Sequence, residues 1–330
     1  MSYLSPAGWG QFFAATALSV CMANTALADE PNTPSPDTQI ASGHHVVSCF
    51  TFLIDVSDSI HNGITEPQYP GDGIKEKSYN PEQDEYRIQI QGHADALISP
   101  DFMQYYGRLR EGEAILITFI AYGSGTGFLG RGSHLVTRNP MSALSMVADL
   151  RAAPRDPKLS EATNVWAGVK KGLDQLIRQC AGAYRRVLDV AGDGVHNVSG
   201  KDDVAAARLH AMAELNEIKI NGLPIVPKKF CENKKINTDD RTADMDIVEA
   251  VQLIEWYEKY VLYGPGAFKV VVCGPSDIKR GIHEKLAREM FVAEILRSGS
   301  HTHFQAMDMP HHKSAQLAQA SSVRLRPVIR

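Results

Sequence analysis

The sequence predicts an α/β domain on a largely parallel sheet, and three observations lead there. Short apolar runs rich in β-branched residues alternate with helical stripes. Those runs are nearly free of polar interruption, as strands covered on both faces must be. Two of them end in turns rich in Asp, Ser and Gly, where parallel sheets bind ligands.

Residues 46–56 (VVSCFTFLIDV) carry no charge before Asp55, and their length and β-branching fit a first buried strand. Residues 114–122, 186–191, 218–226 and 268–273 repeat that pattern, and 134–137 fit a short edge strand. Between them, apolar residues recur every three or four positions. The stripes are Val165, Val169, Leu173, Leu176 and Ile177; Val204, Ala207, Ala211 and Leu215; Val248, Val251 and Ile254; and Ile278, Ile282, Leu286 and Met290. Each predicts a helix laid on the sheet. Residues 61–85, rich in Gly, Pro, Tyr and charge, read as a long loop before the first helix, and 228–246 as a polar surface insertion. No internal repeat is visible, so a single domain is expected over 46–297, followed by a polar, His-dotted tail over 298–330.

The 330 residues are 44% hydrophobic and 22% charged, which excludes a mostly disordered chain. The net charge is −4 with no broad basic field, so a nucleic-acid partner is not expected. No charged side chain precedes Asp29. An apolar run over 12–23 leads into Ala26-Leu27-Ala28, a small-x-small cleavage pattern, and then into an acidic and Pro/Ser/Thr-rich stretch. This predicts a signal peptide over 1–28 cleaved after Ala28, a linker over 29–45, and a periplasmic or secreted mature chain. The α-amino group alone supplies positive charge to the leader, and a buried N-terminal helix is the alternative. No later apolar run is long enough to span a bilayer, so the mature chain is expected to carry no transmembrane segment. Cys49, Cys180, Cys231 and Cys273 would remain after cleavage, open to three disulfide pairings or to burial as free thiols. No Cys-x-x-Cys spacing points to zinc.

The chemistry gathers at strand ends. Asp55, Ser57 and Ser59 follow the first strand in a D-x-S-x-S pattern, whose alternate oxygen side chains can converge on one point. Thr163 stands just before the helix that begins near Val165, and Asp193 sits between Gly192 and Gly194 after another strand. Carboxylates and hydroxyls are hard oxygen ligands that suit Mg²⁺ or Mn²⁺. Each piece alone is an ordinary turn or cap. Their order along the chain is far more specific.

In that order the chain resembles a von Willebrand factor type A (VWA) domain with a metal-ion-dependent adhesion site. The resemblance covers about 49–295, and is closest to a bacterial exported family of unknown function. It rests on 53–57 (LIDVS), 185–194 (RRVLDVAGDG), 220–225 (INGLPI) and 263–268 (YGPGAF). It implies a Rossmann-like doubly wound sheet flanked by helices. It also implies that Ser57, Ser59 and Thr163 give hydroxyl oxygens to the metal, with Asp55 and Asp193 binding directly or through water. One coordination position would be left for an Asp or Glu of a protein partner. Asp58 between the serines and Asn164 after the threonine depart from the usual pattern without removing a ligand. The 61–85 insertion could cover or reshape the site.

The expected function is therefore that of an exported binding module, not an enzyme, with no catalytic residues assigned. A metal-assisted hydrolase is the competing class, but no motif places a histidine near the site as a base, and no G-x-S-x-G occurs. An accessory role in assembling an exported complex would use the same chemistry with a different partner. Asp189 reads as a structural strand residue. Gly264, Gly266 and Gly274 are not followed by the Lys-Ser/Thr of a nucleotide loop.

Overall fold

The first strand runs from His45 to Asp55 and occupies the middle of the sheet. In the computed structural model, residues 43–57, 85–159, 161–232 and 245–298 are described. The expected export signal, most of the linker, the 61–85 insertion up to residue 84, residues 233–244 and the tail from 299 onwards lie outside the described residues.

Among the described residues six strands form the sheet: β1 (His45–Asp55), β2 (Glu113–Tyr122), β3 (Thr126–Val136), β4 (Arg185–Gly192), β5 (Ile218–Val226) and β6 (Val272–Cys273). Their order is β3-β2-β1-β4-β5-β6. Only β3 runs antiparallel, paired to β2 at the sheet's edge. The expected edge strand over 134–137 is thus the end of a longer hairpin arm. The order reverses at β1, so the carboxyl ends of β1 and β4 flank a topological switch point.

The helices are α1 (Glu85–Leu97), α2 (Pro100–Gly107), α3 (Pro140–Ala152), α4 (Val165–Gln179), α5 (Asp202–Leu215), α6 (Lys228–Glu232), α7 (Met245–Trp256) and α8 (Pro275–Ser298). Helices α1, α2, α3 and α8 pack on one sheet face around Phe50, Phe52, Ile117 and Phe119. Helices α4, α5 and α7 cover the other, around Leu53, Ile120, Leu188 and Ile220. The fold is the expected doubly wound α/β sandwich.

Two expected stripes are misplaced. On α5, Val204 and Leu215 are 65% and 85% exposed, while Ala206, Leu209 and Ala213 face the sheet. On α7 the buried set is Ile247, Ala250, Leu253 and Trp256, one residue earlier than the expected stripe. On α5 the alanines, and on α7 the adjacent pairs Ile247-Val248, Ala250-Val251 and Leu253-Ile254, make two neighbouring faces nearly equal in hydrophobicity, and packing selects between them. The α4 and α8 stripes bury as expected, with Ile177 at the margin.

The last expected strand, 268–273, is also cut short. Gly222 N–H donates to Phe268 O and Val270 N–H donates to Gly222 O, but the continuous ladder begins only at Ile225 and Val272. Pro224 has no N–H to extend it between those points.

The four cysteines among the described residues pair. Cys49 on β1 joins Cys180 at the end of α4, across 131 residues of sequence. Cys231 on α6 joins Cys273 on β6, across 42 residues.

His93 of α1 is buried against Phe52 and Phe119, its Nδ1 2.9 Å from Gln89 O. Burial first, with the Lys285 charge adding and the Gln89 carbonyl opposing, lowers its pKa from 6.5 to about 4. Between those values the unfolded chain holds the extra proton, so the stability His93 contributes is lost as pH falls through the window, on the order of 3 kcal/mol. The buried carboxyls of Asp55 and Asp189 are raised and act in the opposite sense, so only a comparison isolates the histidine. Wild type should lose more stability than His93→Leu between pH 7 and pH 4 in urea titrations. Parallel losses would remove His93 as the cause.

Candidate metal centre

The site is assembled where β1 and β4 end. Asp55 is the last residue of β1 and fully buried, its Oδ1 accepting the Ser57 N–H at 2.9 Å. That bond folds the chain into a tight Asx turn immediately beyond the strand. Ser57 is buried behind it. Ser59 lies outside the described residues.

Thr163 precedes α4, whose N-cap is Asn164, with Oδ1 accepting the Ala167 N–H at 3.1 Å. The departure at Asn164 is therefore a helix cap. Thr163 is 3% exposed. Asp193 follows β4 and is half-buried. A Cβ on Gly194 would stand 3.6 Å from Thr163 Oγ1, which sets the Asp193 turn directly beside that hydroxyl. A Cβ on Gly192 would stand 2.7 Å from Asp55 Oδ2, so only glycine lets β4 approach the carboxylate this closely. Four of the five expected ligands thus share one edge of the sheet.

Several residues that hold this edge carry no motif. Arg155, just after α3, donates from Nε and Nη2 to Val56 O at 3.1 and 2.7 Å, and from Nη2 to Ser57 O at 2.8 Å. Its fork pins the first loop from 98 residues away in sequence, which no local spacing reveals. Asn197 clamps the other two loops together: Thr163 N–H donates to its Oδ1 at 2.8 Å, and its own N–H donates to Thr163 O at 3.1 Å. Beneath the site, Tyr122 donates to Ala191 O at 2.9 Å and Tyr257 reaches Gly192 O at 3.5 Å. Tyr257 opens a π-helical turn, Tyr257–Val261, that carries its hydroxyl inward.

The electrostatics of the pocket are strained. Burial first, then the Asp193 charge, raises the Asp55 carboxyl well above the usual carboxylate range, against the Ser57 N–H and hydroxyl and the Tyr122 hydroxyl. Tyr122 stands near the carboxylate, but its hydrogen bond goes to Ala191. Asp55 Oδ2 is left buried with no hydrogen-bond partner among the described residues. A buried acceptor without a donor is costly, and two neighbouring carboxylates make it more so. Among the described residues no three His, Cys, Asp or Glu side chains cluster as a metal group. A cation held here would therefore depend on hydroxyl as well as carboxylate oxygens. No helix among the described residues is long and apolar enough to cross a membrane.

Comparisons with known proteins place these features in context. Residues 76–294 match the family model described as "Protein of unknown function (DUF1194)". No curated protein matches the chain. Among solved structures, a von Willebrand factor type A protein from Catenulispora acidiphila is 10% identical, with 74% of this chain and 43% of that one covered and a TM-score of 0.41. Proximal thread matrix protein 1 from the mussel byssus, with a zinc-occupied MIDAS motif, is 12% identical over 75% of this chain and 48% of that one, with a TM-score of 0.43. The pilus adhesin SpaC from Lactobacillus rhamnosus GG is 11% identical over 75% of this chain and 30% of that one, with a TM-score of 0.41. The chain spans less than half the length of each of these three.

Proposed function

The chain belongs to the DUF1194 family of proteins of unknown function, and we propose that it is an exported, non-enzymatic VWA-type module that binds a protein partner through a divalent cation. Asp55, Ser57, Ser59, Thr163 and Asp193 hold Mg²⁺, or Mn²⁺ in its place. The observation that carries the reading is the orphaned, buried Oδ2 of Asp55 beside a second carboxylate. A hard cation satisfies that oxygen and relieves the repulsion in one step.

The donor set favours Mg²⁺ over softer metals, because every side chain in it offers oxygen. When bound, the ion supplies a positive centre with an open position for a partner's Asp or Glu carboxylate. The chain's own residues prepare that centre. Arg155 fixes the carbonyls of the first loop, and Asn197 locks Thr163 to the loop bearing Asp193. The Tyr122 and Tyr257 hydroxyls hold the end of β4 from below.

The test is thermal unfolding of the metal-stripped chain with and without Mg²⁺ or Mn²⁺. Metal at a hundred times its dissociation constant should stabilise the fold by about 2.7 kcal/mol, and Asp55→Ala with Asp193→Ala should abolish the shift. A wild type indifferent to both ions would overturn the reading. Retention on a column bearing glutamyl peptides, lost in chelator, tests the carboxylate partner separately.

A further inference from the structure

Two segments left unused by the metal reading, 220–225 and 263–268, meet in the fold. Ile220 and Tyr263 exchange backbone hydrogen bonds at 2.9 and 3.0 Å, and Phe268 N–H donates to Asn221 Oδ1 at 3.0 Å. Between those contacts the chain passes over the start of β5. Gly264 and Gly266 both adopt left-handed backbone, with φ of 95° and 67°. A Cβ on Gly264 would stand 3.4 Å from Lys219 Cα, and one on Gly266 would stand 3.6 Å from Lys219 Nζ. The ammonium is therefore set against a loop that offers backbone rather than side chains.

Lys219 has cationic neighbours on the same sheet face and at the same end of the sheet. Arg185 opens β4 with its guanidinium 5.4 Å from the Phe50 ring. Arg288 of α8 lies 3.9 Å over the Phe268 ring, and Lys285 lies 5.9 Å from that same ring. Of the acidic groups nearby, Asp189 and Glu289 both pair with Lys285, Glu289 Oε1 also takes the Asn221 amide at 2.6 Å, and Glu289 Oε2 is buried with no hydrogen-bond partner among the described residues. Glu217 pairs with Arg186 at 3.2 Å. Arg185 Nη1 is buried with no hydrogen-bond partner among the described residues. Burial, then Arg185 and Arg288, lowers the Lys219 ammonium below its ordinary range, with Glu289 opposing. Four cations facing two carboxylates leave this end of the sheet with positive charge to spare.

We propose that Arg185, Lys219 and Arg288, beside the 264–266 loop, form a binding site for a phosphate-class oxyanion. A carboxylate is satisfied by one guanidinium fork, whereas a tetrahedral phosphate has oxygens for two forks and an ammonium. The site lies at the amino ends of β4 and β5, opposite the edge that carries Asp55 and Asp193, and needs no metal.

Calorimetric titration of the intact chain in chelator tests it, with inorganic phosphate and glycerol phosphate in separate arms and sodium chloride at matched ionic strength as the control. Saturable binding of phosphate is expected, weakened at least about tenfold in Lys219→Gln/Arg288→Gln, whose positions are half-buried and exposed. Asp193→Ala should leave it unchanged, which separates this site from the metal edge. Tighter binding of the ester than of free phosphate assigns the natural ligand to phosphate monoesters, and the reverse assigns it to the free ion. Heats no greater than those of chloride, or equal affinity in the double variant, would overturn the proposal.

Discussion

Lys285→Met is expected to destabilise the protein by about 3–5 kcal/mol, read as a fall in the unfolding free energy from urea titration. Lys285 is 1% exposed and pairs with both Asp189 and Glu289, which are themselves 4% and 0% exposed. Burial alone would lower its ammonium, but the two carboxylates outweigh burial and raise it above the ordinary range. Remove the ammonium and two carboxylates remain in a dry layer between β4, β5 and α8, able to escape only by taking up protons. Asp189 is already raised by burial and by Glu289. The triple change Asp189→Leu/Lys285→Met/Glu289→Leu should recover part of the loss, because apolar side chains of similar volume replace the buried ions, while the buried Asn221 amide loses its Glu289 acceptor. A single variant as stable as wild type would show that the cluster is not buried as described.

Removing the Cys49–Cys180 bridge by paired alanine substitution should cost about 2–5 kcal/mol. The bridge ties the central strand to the end of α4 across 131 residues, and both cysteines lie in the core. Cys231–Cys273 closes only 42 residues and is half-buried. Loop-closure entropy makes its loss the smaller by about 1 kcal/mol. Denaturant titration of the two paired variants checks the ranking, and the reverse order would contradict it.

Much of this architecture is written locally. The strand 46–56 announces itself because burial on both faces demands an unbroken apolar run. The α4 and α8 stripes hold because each has one dominant face. Where two faces compete, as on α5 and α7, periodicity identifies a helix but not its rotation. Pro224 could have warned that the last ladder would break, since a missing N–H is visible in sequence. The cysteine pairing could not be read, because it depends on which strand lies under which helix.

The site divides the same way. Asp55, Ser57, Thr163 and Asp193 are legible as oxygen side chains in turns, and the sheet brings those turns to one edge. Arg155, Asn197, Tyr122 and Tyr257 were invisible as site residues. Their work is done by hydrogen bonds between loops far apart in sequence, and nothing in their own neighbourhoods marks it.

Asp55 and Asp193 are proposed to share one cation. Electron paramagnetic resonance of Mn²⁺ titrated into the metal-stripped chain measures it directly, because bound and aqueous ion give distinct spectra. One Mn²⁺ bound per chain is expected, displaced by Mg²⁺ and lost in Asp193→Ala. An aqueous Mn²⁺ spectrum at every ratio, or binding that survives both Asp55→Ala and Asp193→Ala, would contradict it.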